Sequence, residues 1–259
     1  INTKISTPRA SGSDDEIIDA LIFEMKNVTG NELFQMVSDK TVLQMTKMLK
    51  ADLSSFKVKQ DGFYSEKSLF SEGMIEAACE LIKKNGNTYE KDGALWLEST
   101  KYGDDKDRVV IREDGRSTYF ASDIAYHHQK KLRGFDLLIN VLGSDHHGYV
   151  SRLKAGLAST GNSPSDLEVI LMQFVTLYRG KKKIQMSTRS GNFVPMRDLY
   201  SEVGVDAARF FYVSRSHDQH LDFDLELATK QNNNNPVYYI QYANARIKSV
   251  LEENEKRGY

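Results

Sequence analysis

Two long apolar runs interrupt the mixed pattern of hydrophobic and polar positions along the chain. The first spans residues 135–142 and the second spans Leu167–Leu177. Runs of this kind, rich in leucine and β-branched residues, are typical of strands that are buried on both faces of a parallel sheet. A helix-like pattern over 150–158 follows the first run, and the second run repeats the arrangement. The pattern therefore predicts an α/β fold built on parallel strands.

Amphipathic spacing predicts helices on either side of these strands. Apolar residues recur at the helical period in three stretches that precede the strands: 17–25, 33–48 and 71–84. The methionines of the second stretch are expected to pack in the core. From Tyr89 the period changes to two, which predicts short strands at Ala94–Leu97 and Arg108–Arg112. Helical patterns return after Asp198.

Composition bounds the class of protein. The 259 residues carry 35 basic and 36 acidic side chains, so a nucleic-acid partner would need a local basic patch. The single cysteine, Cys79, excludes a disulfide within the chain. No run approaches the roughly 18 apolar residues of a membrane span, and no secretory signal is recognised. We therefore expect a cytoplasmic protein without a membrane segment.

Candidate chemistry follows the first apolar run, in the heptapeptide Gly143–Tyr149. It places Asp145, His146 and His147 where a strand gives way to a helix. Ligands of open α/β sheets bind at the carboxyl ends of the strands, so these side chains are candidates for ligand contact. Two adjacent histidines, without a cysteine pair or a spaced third histidine, make a poor zinc site. We predict no metal ion held by the protein itself.

A basic segment follows the second apolar run. It holds three consecutive lysines, Lys181–Lys183, and then Ser187 and Arg189 between Gly180 and Gly191. Cations and hydroxyls in a mobile loop suit a polyphosphate, because they can neutralise its charge and donate to its oxygens. The sequence has no P-loop and no GxGxxG fingerprint, which disfavours kinases and dehydrogenases. Composition alone thus indicates a nucleotide-binding α/β protein.

Two further groups of residues have both a functional and a packing interpretation. Tyr119 and Asp123 are four residues apart and share a face at the start of a predicted helix, where a phenol and a carboxylate could hold a cation. Spacing alone favours a Tyr–Asp hydrogen bond that serves only packing. In the last predicted helix, Tyr238, Tyr242 and Arg246 could contact RNA, although most such helices simply pack.

These stretches resemble, in order, the motifs of one enzyme family. Residues 185–193 are similar to the KMSKS loop of class I aminoacyl-tRNA synthetases, and residues 143–149 resemble the strand-end motif of arginyl-tRNA synthetases. Further matches to the arginyl-tRNA synthetases fall at 119–126, 221–224 and 235–243. Five motifs in the family's order indicate an arginyl-tRNA synthetase.

The resemblance implies a fold, a reaction and a set of site residues. The fold would be the second half of a Rossmann-type catalytic domain, with an inserted α+β segment and flanking helices. The reaction would join L-arginine to tRNA(Arg) through arginyl-adenylate, with ATP and substrate-bound Mg2+, in a monomeric parent enzyme. The implied arginine-binding residues are Tyr119, Asp123 and Asp145. The implied ATP-binding residues are His146, His147, Met172, Gln173, Gln185, Met186 and Ser187. The implied catalytic residues are Ser187, Lys183 and Arg189, and weaker candidates for tRNA contact are Tyr238, Tyr242 and Arg246.

Two departures from the family pattern lead to further expectations. Gln185 and Thr188 stand where the KMSKS loop has lysines, so Arg189 or Lys181–Lys183 would have to supply the missing charge. The HIGH tetrapeptide of class I synthetases is absent, and residues 1–50 contain no histidine. We therefore expect a segment of a longer enzyme that is inactive by itself.

The motif positions also predict a division of the chain into four parts. Residues 1–65 would be a helical segment bordering the catalytic domain, and 66–116 an insertion with a helix and a β-hairpin. Residues 117–198 would form the second Rossmann half with its KMSKS-like loop, and 199–259 the helical start of the anticodon-binding domain. Two other functions stay open: a non-catalytic RNA-binding module derived from a synthetase, and an unrelated α/β nucleotidyltransferase.

Overall fold

The computed structural model describes residues 14–185 and 194–258. The chain divides into two units, Ile1–Lys59 and Gln60–Tyr259. In the first unit, α1 (Asp14–Thr29) packs against α2 (Asn31–Ser55). Gly30 joins these helices with a φ of 75°, a left-handed value that favours glycine.

The methionine stripe of α2 is not buried. Met36, Met45 and Met48 are 47%, 50% and 40% exposed, and α2, which is described over its whole length, has no buried residue. The expectation of core packing is therefore wrong for this unit. Two helices alone can cover only the side chains at their mutual contact.

Three helices form the first layer of the second unit. α3 (Glu66–Ser71) and α4 (Met74–Lys84) are separated at Gly73, which has a φ of 66°. The helix predicted over 71–84 is α4, which begins three residues later than predicted, and α3 was not predicted. α4 packs against α5 (Tyr119–Leu132). The core that these elements share contains Leu69, Ile75, Ile82, Leu97, Val110 and Ile124.

An antiparallel sheet connects α4 to α5. Its strands, in spatial order, are β1 (Thr88–Lys91), β2 (Ala94–Leu97) and β3 (Arg108–Ile111). The two strands that the alternating pattern predicts, β2 and β3, are confirmed. Because β3 packs against α5, the sheet holds the start of that helix in place.

A parallel pair of strands follows. β4 (Leu138–Gly143) and β5 (Leu167–Met172) are hydrogen-bonded in parallel over their full length. A 3-10 turn (Ser144–Tyr149) and α6 (Val150–Ser159) connect them. Leucines of α6 and of both strands form a common core. The strand–turn–helix unit predicted from the first apolar run, and the α/β class, are confirmed.

One expectation about these strands is wrong, because β4 is buried on one face only. Leu138 is 4% exposed, whereas Ile139 and Val141 are 54% and 61% exposed. The described residues supply only two strands here, and α6 packs with the face that carries Leu138. Ile139 and Val141 point to the opposite face, which stays open to solvent.

The second apolar run is two strands and not one, so it does not repeat the first arrangement. The run breaks at Gln173 and Phe174. β6 (Val175–Arg179) then enters a different sheet, where it pairs with β7 (Lys182–Lys183) as a hairpin and with β8 (Leu221–Asp224) in parallel.

Helices accompany this third sheet. Their bounds are α7 (Met196–Val203), α8 (Val205–Val213), α9 (Leu225–Thr229) and α10 (Pro236–Lys256). The ring of Phe223 in β8 is fully buried and stacks on Phe211 with centroids 5.0 Å apart. Asn235 caps α10, since its side chain accepts from the Val237 backbone N–H at 3.1 Å.

Within the described ranges, no helix combines the length and the apolarity needed to cross a membrane. The predicted boundaries after residues 65, 116 and 198 stay predictions.

Candidate active site

A pocket of about 670 Å³ opens where β3, the start of α5, β4 and α6 meet. Its lining combines apolar side chains with several polar or ionisable ones: Arg108, Arg112, Tyr119, Asp123, His127, Asn140, His146, Tyr149 and Arg152. Three of the residues that the family resemblance points to, Tyr119, Asp123 and His146, therefore line a single cavity. Such a concave site with converging polar groups is typical of small-molecule binding.

The start of α5 sets the positions of Tyr119 and Asp123. Thr118 caps the helix by accepting from the Ala121 backbone N–H, and its own N–H and hydroxyl donate to backbone carbonyls of β3 at 3.0 Å. Tyr119 is 82% exposed at the first helical position, and its hydroxyl has no hydrogen-bond partner among the described residues. The packing interpretation, a hydrogen bond between Tyr119 and Asp123, is not what the structure contains.

The partner of Asp123 is Tyr149. The Tyr149 hydroxyl donates to Oδ2 of Asp123, and the guanidinium of Arg152 lies over the Tyr149 ring, 4.7 Å from its centroid. Burial, and then the hydrogen bond to Asp123, raise the pKa of the Tyr149 phenol, which therefore stays protonated at neutral pH. Neither Tyr149 nor Arg152 was predicted from the sequence to contribute to the arginine site. Tyr149 does belong to the strand-end motif 143–149, but nothing in the spacing pairs it with Asp123.

A buried histidine, His127, bonds to the backbone of Asp123. His127 is 3% exposed, with Nδ1 2.7 Å from the backbone oxygen of Asp123 and Nε2 2.7 Å from Nδ2 of Asn140. A carbonyl only accepts and an amide nitrogen only donates, so the proton sits on Nδ1 and the ring is neutral. Burial, the first cause, lowers the His127 pKa. Lys130 completes the chain by donating to Oδ1 of Asn140 at 3.3 Å.

This histidine predicts a loss of stability as the pH falls below about 6.5. Because the folded-state pKa is lowered, the unfolded chain takes up a proton while the folded chain still holds the neutral ring. The contribution is fully present above the unfolded pKa and is lost as the pH falls towards the folded one, at no more than about 1.4 kcal/mol per pH unit for one group. Melting temperatures between about pH 5 and about pH 7.5 measure it.

His127→Gln, which removes the titrating ring, is expected to flatten this pH dependence. His147→Gln, at an exposed position, serves as the control and is expected to leave the slope as it is. An unchanged slope in His127→Gln would show that another group causes the acid sensitivity.

An ion pair fixes the opposite wall of the pocket. Arg108 of β3 donates from Nε to Oδ2 of Asp104 at 2.8 Å, and the Asp104 side chain is completely buried. Burial opposes ionisation of Asp104, but the bonds from Arg108 and from the Asp105 backbone prevail and lower its pKa. Ser151 of α6 donates to the same carboxylate at 3.3 Å. Asp104 therefore ties the hairpin layer to the helix that follows the strand-end motif.

The strand-end motif is brought only partly into the pocket. His146 lines the cavity, whereas Asp145 and His147 are exposed and do not. Nε2 of His146 lies 3.9 Å from Oδ2 of Asp145, with both side chains more than half exposed. Across the described residues, no group of three His, Cys, Asp or Glu side chains could hold a metal ion.

The lysines stand on a hairpin and not in a loop. Lys182 and Lys183 pair with Arg179 and Tyr178 across β7 and β6, and Lys181 lies in the connecting turn. All three lysines are exposed. The expected flexible segment from Gly180 is therefore wrong for its first residues, which the strand pairing orders.

Two contacts secure the base of this hairpin. The Gly180 backbone N–H donates to Oδ1 of Asp224 at 3.0 Å, and Arg179 donates to Glu202 from Nη2 at 3.0 Å. Gly180 has a φ of 58°, a left-handed value that favours glycine at this turn.

The remaining predicted ATP and loop residues lie near this hairpin in sequence. Met172 ends β5 and is 41% exposed, and the Gln173 N–H donates to the His217 carbonyl at 2.8 Å. Gln185 is exposed. Neither Met172 nor Gln173 lines the pocket. Met186, Ser187 and Arg189 lie outside the described residues.

The predicted RNA-contacting residues lie on α10. The rings of Tyr238 and Tyr242 stack with centroids 6.4 Å apart, and both line a second cavity of about 600 Å³ with the amides of Gln231 and Asn232–Asn234. Arg246 is exposed one turn further along the helix. The two tyrosines therefore share one face of α10.

The comparisons with known proteins agree with the motifs. Residues 15–242 match the profile of a family described as "tRNA synthetases class I (R), catalytic domain". The chain belongs to the class I arginyl-tRNA synthetase family. An unrelated α/β nucleotidyltransferase is thereby excluded.

Relatives named arginine–tRNA ligase are longer than this chain. That of Hydrogenovibrio crunogenus is 54% identical over 248 residues, which is 96% of this chain and 42% of the relative. That of Legionella pneumophila is 49% identical, with 95% of this chain and 42% of the relative covered. The chain thus spans well under half the length of these curated arginyl-tRNA synthetases.

Solved arginyl-tRNA synthetase structures share the fold. A Campylobacter jejuni protein assigned to this family superposes with a TM-score of 0.83 at 38% identity, covering 97% of this chain and 56% of that chain. The Thermus thermophilus enzyme superposes with a TM-score of 0.65 at 19% identity, covering 93% and 48%, which shows the fold alone. The predicted class I α/β fold is confirmed.

Proposed function

We propose that the complete protein ligates L-arginine to tRNA(Arg), consuming ATP and passing through arginyl-adenylate, and that this chain supplies the arginine pocket. The observation that carries the proposal is the Asp123 carboxylate, which shares a cavity with His146 and with Tyr119, whose phenol has no hydrogen-bond partner among the described residues. The chain's membership of the arginyl-tRNA synthetase family supports the same reaction.

The pocket suits a guanidinium group. A carboxylate accepts two hydrogen bonds from the planar fork of arginine and neutralises its charge, and a phenol oxygen can accept a third or lie against the plane. In this proposal Asp123 contacts the side-chain guanidinium and Tyr119 closes over it from the rim. Asp145 lies outside the cavity, at the end of β4. It is proposed to contact the arginine from there once the other substrates are bound.

The residues proposed to act on the nucleotide belong to the strand-end motif 143–149 and to the lysine hairpin, which is the β6–β7 hairpin with Lys181–Lys183. The arginine carboxylate attacks the α-phosphorus of ATP in line, and pyrophosphate leaves, so the protein has to position both reactants and stabilise the charge that develops. His146, His147, Met172, Gln173, Gln185, Met186 and Ser187 are proposed to border the nucleotide. Mg2+, held by the phosphates, would neutralise their negative charge when ATP binds.

The lysine hairpin is proposed to replace charge that the KMSKS-like loop lacks. Gln185 and Thr188 are neutral where the family motif has lysine. Lys183 is exposed on β7, two residues before Gln185, and Arg189 follows in the loop itself. Together with Ser187, these cations would donate to the phosphate oxygens.

Transfer of arginine to tRNA completes the proposal. Tyr238, Tyr242 and Arg246 combine stacking rings with a cation on one exposed helix, a combination suited to unpaired RNA bases and their phosphates. We place the complete enzyme in the cytoplasm as a monomer, and size-exclusion chromatography with light scattering on the complete protein tests the second point.

The isolated 259-residue chain is expected to be inactive in arginine-dependent ATP–pyrophosphate exchange, with tRNA present. The physical reason is that the open face of β4 and the missing HIGH motif leave the ATP site incomplete. A complete arginine–tRNA ligase, such as that of Legionella pneumophila, is the positive control. Robust exchange by the chain alone would contradict the fragment argument. RNA binding with no affinity for ATP would favour a non-catalytic RNA-binding module.

A further inference from the structure

The pocket contains a guanidinium of its own. Arg152 lines the same cavity as Asp123, yet no salt bridge joins the two among the described residues. Its guanidinium lies instead over the Tyr149 ring, 4.7 Å from the centroid, and its Nε is buried without a hydrogen-bond partner among the described residues. A planar cation on an aromatic face is a favourable contact, strongest where water is excluded.

Tyr149 holds Asp123 and Arg152 at once. Its hydroxyl donates to Oδ2 of Asp123, while its ring carries Arg152. Oδ1 of Asp123 receives no hydrogen bond from any described residue. Tyr149 ends the 3-10 turn that follows β4, and Arg152 lies three residues later in the first turn of α6. The backbone therefore fixes the two side chains relative to each other.

We propose that Tyr149 and Arg152 are positioning residues for amino-acid selection, an inference that rests on the proposed function. Tyr149 orients the Asp123 carboxylate through Oδ2 and leaves Oδ1 for the substrate. The stack on Tyr149 keeps the protein's own guanidinium off that carboxylate, which would otherwise be neutralised from within. The Asp123 carboxylate is thus oriented and, among the described residues, has no partner on the side that an incoming guanidinium needs.

The direct test is arginine binding to the 259-residue chain, which contains every residue of this pocket, measured by ligand-observed NMR. Tyr149→Phe keeps the ring and removes the hydroxyl, and is expected to weaken arginine binding about tenfold, the effect of one hydrogen bond to a charged group. Citrulline, a neutral analogue, lacks the charge that Asp123 attracts. Its already weak binding is expected to change less, so the preference for arginine over citrulline shrinks.

Arg152 is tested through its dependence on Tyr149. Arg152→Gln removes the guanidinium that packs on the Tyr149 ring and helps to hold the Tyr149 hydroxyl against Asp123, and is expected to weaken arginine binding about threefold in the otherwise unchanged chain. In the Tyr149→Phe background it is expected to add little, because the hydroxyl that the stack positions is already gone. Fully additive effects would overturn the proposed coupling.

The matched control is Tyr102→Phe. Tyr102 also donates one hydrogen bond, to Oδ1 of Asn87 at 2.7 Å, but does not line the pocket. It is expected to lower the melting temperature as much as Tyr149→Phe does, without changing arginine affinity or the preference over citrulline. This comparison separates positioning from general loss of packing.

The outcomes distinguish the positioning role of Tyr149 from the arginine site itself. Unchanged or tighter arginine binding by Tyr149→Phe would overturn the positioning role while leaving the arginine site in place. Absence of arginine binding by the unaltered chain would overturn the arginine site itself, and the positioning role with it.

Discussion

Asparagine at position 123 is expected to raise the KM for arginine of the complete enzyme about 100-fold. Asp123→Asn has nearly the same shape and can still accept from Tyr149, so the pocket keeps its packing. What it loses is the negative charge opposite the guanidinium, in a partly buried position where charged hydrogen bonds are strong. Arginine-dependent ATP–pyrophosphate exchange, with tRNA present, measures the change.

The KM for ATP is expected to stay close to its original value in this variant, because Asp123 is proposed to contact the amino acid and not the nucleotide. Asp92→Asn is the matched control: it makes the same chemical change at the exposed β1–β2 turn, where the backbone has a φ of 53° that asparagine accepts. An Asp123→Asn enzyme with an unaltered KM for arginine would remove Asp123 from the recognition of the substrate.

The second large effect is expected from the lysine hairpin. Replacing Lys181, Lys182 and Lys183 together by glutamine is expected to slow adenylate formation about 30-fold, the size of effect that follows when preorganised charge near a transferring phosphorus is removed. The KM for arginine is expected to change little, since none of the three lines the pocket. Single-turnover measurement of adenylate formation tests both statements.

The control for this variant is a second triple substitution, Lys83→Gln, Lys84→Gln and Lys91→Gln. It changes the net charge equally, at exposed sites on α4 and β1. A similar slowing in both triple variants would assign the effect to overall charge. An unchanged rate in the hairpin variant would place the compensating charge elsewhere, with Arg189 as the next residue to neutralise.

The parts of the fold that could be predicted from the sequence are those that depend on local interactions. β4 and α6 are recognisable from sequence because a run of apolar residues and a helical period are local signals. Burial of β4 is not local: Ile139 and Leu138 are chemically alike, and which one is exposed depends on the face of the strand that α6 covers. The break of the second run at Gln173 is equally invisible, because it depends on which sheet each half joins.

In the candidate site, too, contacts between residues close in sequence could be predicted and contacts between distant residues could not. Tyr119 and Asp123 could be singled out because one helical turn places them together and family motifs mark them. The bond from Tyr149 to Asp123 joins residues 26 positions apart and required the contact of α5 with the turn after β4. The spacing of the three lysines suggested a loose loop, since strand pairing of only two residues leaves no periodic signal in sequence.

The change of sheet between β5 and β6 separates two tasks in space. The pocket that contains Asp123 is built on β3, β4 and their helices, whereas the lysine hairpin belongs to the sheet of β6, β7 and β8. Gln173 and Phe174 link β5 to β6 along the chain, and His217 bonds to Leu171 and Gln173 beside this link. Under the proposed function, substitutions around the Asp123 pocket would therefore change amino-acid selection separately from adenylate formation at the lysine hairpin.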